Sequence, residues 1–179
     1  MLIPVLLSRM ATRAAMCSVA VVAVTIAGVT PHAAADTDQF ALNGTYSVVS
    51  NGEWAKMNER YQDEPTVRSE WTIATTCSTA ITCAGKVTSS LGWTEDIYNT
   101  TGANWFVRHY VPNWIPCPDG STAPGLQVFR FHPDVSSSPD GSATPGVLVG
   151  EDVTTGESGN CGRNTSLILN LPVKLTRIG

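Results

Sequence analysis

The sequence predicts an all-β fold, an antiparallel meander of about eight strands closed as a barrel or, alternatively, stacked as a sandwich, with one short helix near residues 53–64. The first observation is that five apolar residues occupy alternate positions near the end of the chain. They are Leu167, Leu169, Leu171, Val173 and Leu175. This spacing is typical of a strand with one buried face and one solvated face. The second observation is that short β-forming runs recur between clusters of turn-forming residues.

The elements follow in order. Residues 42–50 read as the first strand, which Asn51-Gly52 ends. Trp54, Met57 and Tyr61 then recur at i, i+3 and i+7 before Pro65, which predicts the helix. Pro172, on the outer face of the last strand, predicts an edge strand or a bulge there. Further strands are predicted over residues 67–73, 85–90, 93–98, 105–111, 127–132, 147–154 and 167–175.

The first 35 residues read as a secretory signal peptide. Arg9 and Arg13 form a basic start, residues 14–29 are mainly apolar, and Ala33-Ala34-Ala35 offers small residues for cleavage. The alternative is a retained membrane anchor, for which the apolar run is short. We predict cleavage after Ala35 and a single disulfide-linked β domain over residues 36–179, secreted or held in the cell envelope, without a transmembrane segment.

The charge of the mature chain argues against some partners. Loss of Arg9 and Arg13 lowers Lys+Arg from 11 to 9 while all 15 acidic residues remain, so the net charge becomes −6. A negative domain is a poor match for nucleic acid or for an anionic membrane surface.

Four cysteines remain after cleavage: Cys77, Cys83, Cys117 and Cys161. An even number in an exported chain predicts two disulfides, and three pairings are possible. We favour Cys77–Cys83, closing a local turn, and Cys117–Cys161, joining distant loops. The C-x5-C spacing and the lack of nearby histidines disfavour a zinc site, and no motif for a metal or cofactor is present.

Several short stretches along the mature chain carry a family resemblance. They are Asn43-Gly44-Thr45-Tyr46, Ser50-Asn51-Gly52-Glu53-Trp54-Ala55, Trp71-Thr72-Ile73, Gly92-Trp93, Trp114-Ile115-Pro116-Cys117-Pro118-Asp119-Gly120, Gly150-Glu151-Asp152 and Ser158-Gly159-Asn160-Cys161-Gly162. Together they resemble a family of small secreted actinobacterial proteins, chiefly mycobacterial, without an assigned activity. The resemblance implies an exported bacterial protein with two disulfides, and it brings no catalytic residues.

A weaker resemblance is to the lipocalin and fatty-acid-binding barrels. Residues 42–50 are similar to their opening strand, where an aromatic residue two positions after a glycine seals the barrel base; here that residue is Tyr46. The usual tryptophan is absent. The resemblance implies eight strands, with residues 53–64 placed where some of these barrels carry a lid.

Residues for catalysis are few. Only His109 and His132 remain after cleavage, no thiol is spare, and no Gly-x-Ser-x-Gly turn occurs. For a glycosidase, Glu95 with Glu151 or Asp152 is the best available pair of carboxylates. Whether the chain is an enzyme is uncertain, and we expect that it is not.

The five tryptophans supply better candidates for ligand binding than the residues above supply for catalysis. Trp71 and Trp105 lie in alternating strands and are expected in the core, whereas Trp93 and Trp114 are expected in loops, where an indole can stack on a sugar or anchor a partner. Candidate ligand-binding residues are Trp54, Met57, Tyr61, Trp93 and Trp114. We expect a non-catalytic binding protein that holds an apolar (lipid) or glycan ligand in a β cup. A structural or host-interaction protein acting through its surface is the alternative, and a glycan or ester hydrolase comes third.

Overall fold

The computed structural model describes residues 37–136 and 140–179. The predicted signal peptide lies outside the described residues. None of the helices in the described part is long and apolar enough to cross a bilayer. The strands of this part are β1 (Gly44–Ser50), β2 (Lys56–Met57), β3 (Arg60–Tyr61), β4 (Val67–Thr79), β5 (Thr82–Ser89), β6 (Thr94–Asn99), β7 (Trp105–Pro116), β8 (Thr122–Pro133), β9 (Val147–Gly156) and β10 (Leu167–Arg177).

Eight of these strands form a closed antiparallel barrel. Strands β1 and β4 to β10 pair in chain order, and β10 then pairs back onto β1, with Val48 opposite Leu175. The barrel confirms the all-β prediction and decides against the sandwich. It follows from the alternating pattern, because closure buries one face of every strand and leaves no long unpaired edge.

The final strand keeps its predicted alternation but is not an edge. Leu171, Val173 and Leu175 are buried on the inner face of β10. Pro172 lies where β10 leaves β1 and meets β2, and its carbonyl accepts a hydrogen bond of 2.9 Å from the backbone N–H of Asn51. The proline is tolerated because β10 changes its pairing partner at Pro172, where the chain has no backbone N–H to donate a hydrogen bond.

The helix predicted near residues 53–64 does not form. Gly52–Trp54 makes one 3-10 turn, and β2 and β3 then form a small hairpin beside β10. Asn58 and Glu59 have φ of 47° and 64°, the left-handed conformation of a two-residue hairpin turn. The Asn58 side chain accepts a hydrogen bond of 2.7 Å from the N–H of Ile168. Three helical turns are marginal alone, so pairing with β10 prevails.

The two ends of the barrel differ. At the closed end, formed by the β4–β5, β6–β7 and β8–β9 connections, Tyr46, Ile97, Trp105 and Phe131 fill the interior. At the open end, formed by the β5–β6, β7–β8 and β9–β10 connections, the segment 51–66 contributes to the rim.

Both favoured disulfides are present, one at each end of the barrel. Cys77–Cys83 joins β4 to β5 at the closed end, within the core. Cys117–Cys161 joins the β7–β8 turn to the β9–β10 loop at the open end.

Candidate ligand-binding site

A cavity of about 480 Å³ occupies the open end of the barrel. Its volume is within the range of small-molecule sites. Apolar side chains dominate the wall, and a few polar groups converge on it. The lining residues are Glu64, Pro65, Val67, Leu91, Trp93, His109, Val111, Trp114, Gln127, Asp152, Thr154, Leu169 and Leu171.

Two glycines on inner faces provide the space that Trp114 occupies. A Cβ added at Gly125 would lie 2.6 Å from Cε3 of Trp114, and one at Gly156 would lie 2.9 Å from its Cζ3. Real Cβ atoms do not come this close to a ring. The indole therefore packs against bare backbone of β8 and β9 at the mouth of the cavity.

A β-bulge turns Trp114 inward. Val111 pairs with Gly125 and Ile115 with Ala123, so β7 takes four residues to cover a distance that β8 covers in two. Bulges redirect side chains in this way, often beside binding sites. Trp114 was expected in a loop, and it lies in a strand instead.

Trp93 forms a second aromatic wall. It follows Gly92, which has a φ of 89° in the β5–β6 turn. The Trp93 ring stacks on His109, with 4.7 Å between centroids, and meets the edge of Trp71 at 5.3 Å. His109 is fixed from behind, because its Nδ1 lies 3.1 Å from a carboxylate oxygen of Glu95. The wall is therefore held in place from two sides.

Asp152 is the buried carboxyl group of the cavity. Only 2% of the residue is exposed. One carboxyl oxygen accepts a hydrogen bond of 2.6 Å from the Ser50 hydroxyl, and the other accepts one of 2.8 Å from the Gln127 amide. Burial raises the pKa of Asp152 above the ordinary 3.8, although both hydrogen bonds act in the opposite direction. The carboxyl thus has neutral partners within the described chain.

This raised pKa predicts a pH dependence of stability. Below about pH 4 the carboxyl is protonated in both the folded and the unfolded state, and as pH rises the unfolded state releases its proton first, which favours unfolding. The free energy of unfolding of the wild type, minus that of Asp152→Asn, should therefore fall with rising pH, by up to about 1.4 kcal/mol per pH unit. The fall should end above the folded-state pKa. Urea titrations from about pH 4 to pH 8 measure this difference in unfolding free energy. A difference that does not change with pH would contradict a pKa raised by burial.

The candidate residues separate into two groups. Trp93 and Trp114 line the cavity, whereas the other three, on the segment before β4, do not. Trp54 and Tyr61 are each 68% exposed, and Met57 is half-buried opposite Leu169. Within the described ranges, no cluster of three or more potential ligands could hold a metal ion.

The candidate catalytic carboxylates also separate. Glu151 faces outward and pairs with Arg130 at 2.8 Å, and His132 is exposed on the outer face. Asp152 and His109 face the cavity, and Glu95 supports His109. Gln127 was not selected from the sequence as a binding residue, although its alternation with Phe129 and Phe131 places it on the inner face of the strand.

These features define a class: a closed eight-stranded antiparallel barrel with a small-molecule-sized cup at one end. No protein-family model matches the chain, and no curated protein does. Among solved structures, it is similar to the monomeric form of the PknI sensor domain of M. tuberculosis, with a TM-score of 0.55 and 18% sequence identity over 78% of this chain and 88% of that one. At this identity the similarity shows a shared fold and nothing finer.

Proposed function

We propose that this protein is a non-catalytic binding domain that holds a small ligand with an apolar body in the barrel cup. The observation that carries the proposal is the cavity of about 480 Å³ between Trp93 and Trp114. Val67, Leu169 and Leu171 add apolar surface to its wall. Burial of apolar ligand surface in such a cup contributes about 25 cal/mol per Å² before the costs of association. A glycan is the alternative ligand, because indole rings also stack on sugars.

We also propose that the domain works outside the cytoplasm. The pattern of residues 1–35 and the two disulfides support export, since disulfides persist in oxidising compartments. A protein with this fold is named a sensor domain, which supports a role in binding rather than in catalysis.

Titration with an apolar fluorescent probe tests the cup. We expect a one-to-one complex, quenching of tryptophan fluorescence, and an affinity at least about tenfold lower in Gly125→Ala, because the new Cβ displaces Trp114 into the cavity. Leu126→Ala, on the outward face of the same strand, is the matched control and should bind like the wild type. Competition by a short oligosaccharide but not by a fatty alcohol would favour the glycan.

Absence of probe binding to the wild type would contradict the proposal. Surface recognition would then become the better account. Tyr110, Leu126 and Ile168 would be the residues to examine, since they are exposed on three strands of the outer face, where Tyr110 pairs with Leu126.

A further inference from the structure

Building on the proposed function, we infer that the ligand of the cup carries a cationic nitrogen, a protonated amine attached to its apolar body, and that Asp152 binds this group. The inference concerns the polar end of the ligand. It depends on the charges that line the cup and on the partners of Asp152.

The charged side chains of the cup are acidic. Glu64 and Asp152 are the carboxyl groups among the described lining residues, and no lysine or arginine lines the cavity there. His109 is the one basic group in that set, and its imidazole already contacts the Glu95 carboxylate at 3.1 Å. An anionic ligand would meet two carboxyl groups without a cation to match it, which disfavours binding.

Asp152 lacks the partner that a buried carboxylate requires. Ser50 and Gln127 supply two neutral hydrogen bonds, and no ion pair to Asp152 occurs within the described chain. An unpaired buried charge is costly, and a cation at hydrogen-bond distance removes most of that cost. An ammonium group brings both the opposite charge and several N–H donors.

The aromatic walls suit the same group. Trp93 and Trp114 both line the cavity, and an indole face attracts a cation more strongly than the other aromatic rings do. The cup therefore combines a buried carboxyl with aromatic and aliphatic surface, the surroundings that an amine on an apolar body requires.

The inference predicts how affinity depends on pH. Burial raises the pKa of Asp152 in the empty cup. An ammonium ligand binds the ionised carboxyl, so below that pKa binding includes the free-energy cost of releasing the carboxyl proton. Its affinity should rise with pH, by up to about tenfold per pH unit, until the carboxyl of the empty cup is ionised. Glu64 and His109 are further ionisable side chains that line the cavity, so only the part of the rise that is lost in Asp152→Asn belongs to Asp152.

Calorimetric titration with three probes of equal chain length tests the inference: decylammonium, decanol and decanoate. The two ionic probes are kept below their critical micelle concentrations, and decanol is kept below its solubility limit. At about pH 7.5 decylammonium should bind the wild type at least about tenfold more tightly than decanol, and decanoate should bind most weakly. In Asp152→Asn the preference for the amine should fall to within about threefold. Asparagine can still accept from Gln127 and donate to Ser50, so the cup should remain intact.

Glu151→Gln is the matched control, because it removes the same charge from the adjacent, outward-facing position. It should keep the full preference for the amine. Equal binding of decanol and decylammonium, or tighter binding of decanoate, would overturn the inference while leaving the apolar cup in place. Loss of the preference in Glu151→Gln would assign it to net charge and would also overturn the inference. If none of the three probes binds, the proposed function itself fails.

Discussion

Replacement of Trp71 by alanine is expected to lower the free energy of unfolding by about 3–5 kcal/mol, a large part of the stability of a domain this size. The Trp71 residue is 1% exposed, and its ring meets Phe129 at 4.8 Å, Trp93 at 5.3 Å and Phe131 at 6.2 Å. Its buried indole N–H has no hydrogen-bond partner in the described structure. The loss is therefore one of packing and cavity formation.

Urea denaturation at fixed pH measures this loss, and Trp54→Ala is the matched control. Trp54 is 68% exposed, so its removal should change stability by less than about 0.5 kcal/mol. Because Trp71 also supports Trp93, the alanine variant should bind probes in the cup more weakly. Similar losses from the two substitutions would contradict the core described for this barrel.

The second large effect concerns the bridge at the open end. Replacement of both Cys117 and Cys161 by alanine should lower the free energy of unfolding by about 4 kcal/mol, because the disulfide closes a loop with a sequence separation of 44 and restricts the unfolded chain. Both cysteines are half-buried, so loss of side-chain packing adds little.

Unfolding curves of the oxidised wild type and the double variant test this expectation. The dependence of stability on urea concentration should steepen in the variant, since an unlinked chain exposes more surface when it unfolds. Comparison with the Cys77/Cys83 double variant is informative, because that bridge spans a separation of only 6 and its loop entropy predicts about 2 kcal/mol. A loss below about 1 kcal/mol for the Cys117/Cys161 pair would refute the entropic argument.

The fold was largely predictable, because strand alternation is a local signal. Leu171, Val173 and Leu175 lie on one face through the period of the strand alone, whatever they pack against. The sequence did not decide between a barrel and a sandwich, because closure of the barrel depends on β10 pairing with β1, more than 100 residues earlier in the chain. The short helix was wrong for the same reason: residues 53–64 gain pairing with β10, which a local helical pattern cannot register.

The site was predictable only in part. Trp93 and Trp114 were selected as aromatic residues beside turns, and both line the cup. The bulge that turns Trp114 inward, and the glycines that leave room for its ring, depend on the register between β7 and β8. Asp152 was considered as the alternative to Glu151 for a carboxylate pair with Glu95. Only the register of β9 separates the inward carboxyl of Asp152 from the outward one of Glu151.

Native mass spectrometry of the protein purified from its own host tests the central claim most directly. The account predicts a chain beginning at Asp36, with two disulfides and one small molecule bound per chain, released by organic solvent. Tandem spectra should show that this molecule has an apolar body. An empty chain that also fails to bind apolar probes after purification would contradict a ligand-binding cup.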